Sequence, residues 1–69
     1  MINSVGIVDT RKIIKAIDET YNYDFSDYAL TALKHRLVKF INNNNYTNID
    51  NFIQKIYDVN FPFQDLLNQ

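Results

Sequence analysis

The chain has 69 residues, a net charge of −1 and no cysteine. That length allows a single domain, and folding buries only roughly 60% of the surface of so short an unfolded chain. Without cysteine neither a disulfide nor a thiolate metal site can support the core, and a nearly neutral charge disfavours general binding to nucleic acid.

Stability must therefore come from packing, for which 46% hydrophobic residues, with five tyrosines and five phenylalanines, provide the material. One glycine and one proline are too few for a series of hairpins, so the expected fold class is all-α. The N-terminal run MINSVGIVDTRK has neither the basic start nor the apolar stretch of a signal peptide. No stretch approaches the roughly 20 apolar residues of a membrane span, so no membrane insertion is expected and the expected location is the cytoplasm.

Residues 1–8 show no period and read as a loose leader. Asp9 or Thr10 can cap a first helix, in which Ile13, Ile14, Ile17 and Tyr21 share an arc of about 100°. Asn22 breaks that pattern and suits the left-handed conformation that ends many helices. Asp24 or Ser26 can open a second helix, with Leu30, Leu33, Leu37, Phe40 and Ile41 as its apolar stripe. Tyr28, His35 and Lys39 fall opposite that stripe, with Lys34 and Arg36 on its flanks. The run Asn42 to Asn45 reads as a polar loop that frays the helix end.

Thr47 or Asn48 caps a third helix, whose stripe is Ile49, Phe52, Ile53, Ile56 and Tyr57. Asp58 to Asn60 reads as a turn. Pro62 marks the start of a fourth helix, with Phe63, Leu66 and Leu67 facing inward. Short connections favour antiparallel neighbours, so the expected architecture is a compact antiparallel bundle of about four short helices. The chain stops within a turn of Leu66 and Leu67, as a fragment of a longer protein would.

Chemistry is sparse. His35 is the only histidine, the carboxylates are scattered and Gly6 stands alone, so no metal, acid/base or phosphate-loop pattern emerges. Ser26 precedes a helix without a nearby base, which favours a cap over a nucleophile. Neither catalytic, cofactor-binding nor metal-binding residues are expected. What remains is binding: Lys34, His35, Arg36 and Lys39 group positive charge on about one and a half turns of helix, a surface for an acidic partner.

The stretch YNYDFSDYALTALKHRLVKF resembles the N-terminal helical domain of the chemotaxis receptor methyltransferases, the CheR family. Asp24, Phe25, Ser26 and Tyr28 match the first part of the family pattern; Arg36, Leu37, Lys39 and Phe40 match the second. Asn22 replaces a usual glycine, and His35 replaces the first of two usual arginines, which would make the patch weaker and pH-sensitive. The resemblance implies a non-catalytic recognition domain that precedes an S-adenosylmethionine-dependent glutamate methyltransferase domain, itself beginning after residue 69. It further implies that Arg36 and Lys39, and less directly Lys34 and His35, face acidic cytoplasmic helices of a chemoreceptor, and that Tyr28 packs or caps. The cofactor would belong to the full-length protein, not to these residues. The alternative is a stand-alone helical interaction or DNA-binding module, with the acidic third helix arguing against DNA. A carrier domain fits least, because Phe25-Ser26-Asp27 is the wrong setting for its serine.

Overall fold

A computed structural model describes residues 2–68, so Met1 of the expected leader lies outside the described residues. The domain is an all-α bundle of four helices, α1 (Ile7–Tyr21), α2 (Leu30–Asn43), α3 (Ile49–Ile56) and α4 (Phe63–Leu67). Helix accounts for 63%, with no strand among the described residues.

α1 begins earlier than its candidate caps suggest. Gly6 is the N-cap, extended at φ −68° and ψ 165°, and lends no side chain. The Gly6 carbonyl instead accepts both the Thr10 N–H at 2.9 Å and the Thr10 hydroxyl at 2.8 Å. Thr10 is thus a buried member of the first turns rather than a cap, and Asp9 lies where the positive helix end favours an acid. Ile13, Ala16 and Ile17 are buried. At the other end Asn22 takes the left-handed conformation, φ 54° and ψ 39°, and its N–H donates to Asp18 O at 2.9 Å. The expected asparagine cap is present.

The leader is not loose. Ile7 and Val8 belong to α1, and Val5 is buried. The Ile2 N–H donates to Asn42 Oδ1 at 2.9 Å, and Asn42 Nδ2 donates back to Ile2 O at 2.8 Å. Residues 2–5 therefore form a strap tied to the end of α2. No periodicity signals it, because its anchor is 40 residues away.

α2 begins at Leu30, later than Asp24 or Ser26. The Asp24 carboxylate accepts the Ser26 N–H at 2.8 Å and the Ser26 hydroxyl at 2.9 Å, closing a local turn. The side chain that could have capped a helix spends its acceptors on that turn, which competes with helix initiation. Phe25 is driven into the core by it. Leu33, Leu37, Phe40 and Ile41 are buried along α2, while Leu30 in its first turn is 37% exposed.

The asparagine run is ordered chemistry rather than fraying. Asn45 has φ 61°, its N–H donates to Asn42 O at 3.2 Å, and the Tyr46 N–H reaches Ile41 O at 3.1 Å. That pairing is a Schellman motif, with asparagine in the position glycine usually takes. Asn44 Nδ2 adds a bond to Phe40 O at 2.9 Å. Asn48 then caps α3, its side chain accepting the Asn51 N–H at 2.7 Å. Phe52 and Ile56 are buried, but Tyr57 follows the last turn and is 54% exposed rather than part of the stripe.

A turn at Asp58 leads to Pro62, where φ −80°, ψ 67° and a 2.8 Å bond from the Phe63 N–H to Phe61 O describe an inverse γ-turn. α4 follows, burying Leu66, with Phe63 and Leu67 packed against the core.

The Ile2–Asn42 bonds tie the segment that leads into α1 to the end of α2. The Tyr21 hydroxyl donates to Ile56 O at 3.0 Å, which brings the last turns of α1 and α3 together. α1 packs on α3 and α2 on α4. The centre is aromatic: Phe40, Phe52 and Phe61 form a triangle with ring centroids 5.8 to 5.9 Å apart. Tyr21 stacks on Phe63 at 4.3 Å and continues that cluster to the surface. Tilted and edge-on pairs of this kind contribute about 0.5–1.5 kcal/mol each beyond area burial.

Candidate functional site

α2 contains Lys34, Arg36 and Lys39 and no acidic residue, leaving four cations against eight carboxylates in the rest of the chain. Its apolar stripe faces the core, so helical geometry turns its cations outward. His35 and Lys39 are exposed, and Lys34 and Arg36 are half-buried on the two flanks, as their angular positions predict.

The structure separates these four side chains into two groups. Lys34, His35 and Lys39 line one groove of about 560 Å³, together with Val38 on α2 and residues 3–5 of the strap. Their spacing on α2 places them on one side of it. Arg36 does not line this groove. Its guanidinium lies 5.5 Å from the centroid of the Tyr28 ring, and Nη1 donates to Leu67 O at 3.3 Å. Arg36 thus links α2 to the end of α4, where a cation suits the last carbonyls of a helix.

Tyr28 has the packing role expected of it, edge-on to Phe25 at 5.0 Å and beneath Arg36. The side-chain hydrogen bonds among the described residues engage Arg36 but none of Lys34, His35 and Lys39. Those three remain available to something else.

The strap wall of the groove could not be read from the sequence, since Asn3, Ser4 and Val5 carry neither charge nor period. Only the paired apolar residues Ile2 and Val5 hint that the leader is attached.

Elsewhere the titratable groups have structural explanations. The backbone N–H and then the hydroxyl of Ser26 hold the Asp24 carboxyl below its usual range. Burial, followed by the nearby Asp58 charge, raises the Tyr21 and Tyr46 hydroxyls. A smaller recess of about 260 Å³ lies beside Tyr46, Asp58 and Phe61. Among the described residues no group of three or more His, Cys, Asp or Glu could hold a metal ion. Among the described residues no helix is long and apolar enough to cross a membrane.

Most residues that carry the resemblance to the methyltransferase domain have internal roles. Phe25, Leu37 and Phe40 are buried, and Asp24 with Ser26 makes a turn. No protein-family model, curated protein or solved structure matches the chain.

Proposed function

We propose that this domain is a non-catalytic recognition module that docks acidic segments of a protein partner on the basic side of α2. Within that reading, the resemblance of residues 21–40 implies that the partner is the acidic cytoplasmic helices of a chemoreceptor. The wider protein would then be an S-adenosylmethionine-dependent glutamate methyltransferase acting in the cytoplasm. The observation that carries the proposal is the segregation of charge: α2 has three Lys or Arg residues and no acid, within a chain of net charge −1. A helix needs no such bias for solubility, which mixed charges provide equally well. The excess of carboxylates elsewhere in the chain disfavours the DNA-binding alternative, since a phosphate backbone would be repelled on most sides.

Calorimetry with an acidic receptor-derived helical peptide tests this directly. Binding should be abolished by the double substitution Lys34→Glu and Lys39→Glu, with the helical circular dichroism unchanged. Affinity should also fall as ionic strength rises from about 0.1 M to about 1 M, where the Debye length shortens from about 10 Å to about 3 Å. Affinity unaffected by the charge reversal would remove α2 as the docking surface.

A further inference from the structure

The groove beside α2 has a second wall of a different kind. Residues 3–5 run non-helically between two fixed points. Ile2 is held by the two Asn42 bonds, and Gly6 O is held by the two donors of Thr10. Val5 is buried, so the strap is also anchored by its side chain next to α1. Among the described residues, however, the backbone N–H and C=O groups of residues 3–5 enter none of the inter-residue hydrogen bonds.

A non-helical stretch of backbone that is held at both ends and unpaired between them is a template on which an extended chain can pair. Three residues of strand span about 10 Å. From Lys34 to Lys39 α2 rises about 7.5 Å. The α2 wall is therefore long enough to meet about two to three residues of an extended peptide.

We propose that this groove is a slot for a short acidic segment in extended conformation, paired along residues 3–5 and held by Lys34, His35 and Lys39. The proposal rests on the reading of α2 as a partner-binding surface and narrows it to one geometry. Charge chooses the sign, because the groove is lined by three basic side chains and no acid. Backbone chooses the conformation: a helix satisfies its own N–H and C=O groups and gains nothing from the strap. Side chains of an extended segment alternate, so carboxylates at every second position meet the cations. Val38, half-buried on the groove's α2 wall, offers an apolar spot between them. Arg36, turned to Tyr28 and Leu67, takes no part.

The test is a titration of the full 69-residue chain, labelled with ¹⁵N, using a blocked peptide of about eight residues alternating Glu and Val. A helical Glu/Ala peptide of equal charge and an alternating Lys/Val peptide serve as comparisons. The expected result is that the alternating acidic peptide binds about tenfold or more tightly than the helical one and the Lys/Val peptide does not bind, with the alternating peptide alone moving the amide resonances of residues 3–5 as well as those of residues 34–39. Asn3→Glu with Ser4→Glu puts acid on the exposed strap without touching Ile2 or Val5, and should weaken binding about tenfold or more. Unchanged circular dichroism of that variant keeps the comparison valid. Shifts confined to α2, equal binding of the helical peptide and indifference to the strap substitutions would overturn the slot while leaving α2 as a docking surface. No binding of either acidic peptide, or equal binding of the Lys/Val peptide, would overturn both.

Discussion

The two long sides of α2 contrast in almost every respect. One side sets Leu33, Leu37, Phe40 and Ile41 into a centre where rings meet rings and every buried side-chain polar atom among the described residues has a partner. The other side, with Lys34, His35, Val38 and Lys39, faces a groove across from a strap with open backbone. Apolar burial on the first side is paid for by leaving the second with little to hold it. In a chain this short, one helix serves the core and, in the proposed reading, also offers the docking surface.

The largest expected effect would come from breaking the dense side. Phe40 is fully buried against Phe52 and Phe61, and Phe40→Ala should cost about 3–5 kcal/mol, near the whole stability expected of so small a domain. Urea denaturation should find the variant largely unfolded in water; a cooperative transition at an unchanged midpoint would contradict the assigned core.

Asn42→Ala sharpens the comparison from the other side. It removes both bonds to Ile2 and should cost about 1–3 kcal/mol, felt locally. Hydrogen exchange at the Ile2 amide should accelerate far more than exchange in α1 and α3. Equal acceleration everywhere would mean that the strap belongs to the core's cooperative unit.

Tyr21→Phe is the mildest change, removing one hydroxyl bond to Ile56 O at about 1 kcal/mol. Its sign with pH is defined. Burial and Asp58 raise the Tyr21 hydroxyl above its ordinary value of 10.0, so the protonated form is favoured in the fold. That contribution is complete below the ordinary value and is lost as pH rises through the raised one. Alkaline denaturation should therefore be shallower in Tyr21→Phe than in the parent chain.

Much of the fold was legible because its signals are local. Spacing alone exposed Ile13 with Ile17, Leu37 with Phe40, and Phe52 with Ile56, all buried as expected. Asn22 and Asn48 announced a helix end and a helix start through properties of their own side chains. What was hidden depends on residues far apart in the chain. The strap is anchored by Asn42, and Arg36 is drawn to Leu67, 31 positions away. The cationic patch was therefore visible as a set of residues, but its division into a groove and an internal link was not. Asp24 misled in another way: it satisfied a turn with the same atoms that could have capped a helix.

Asn22 and Asn45 have a consequence beyond ending their helices. Both hold positive φ, where glycine would sit without strain. Asparagine accepts some strain in the folded chain but wanders less than glycine once released. At these two positions the unfolded chain is therefore somewhat more restricted than it would be with glycine, and slightly less entropy is surrendered on folding. The two asparagines thus set a small strain in the folded chain against a small restriction of the unfolded one.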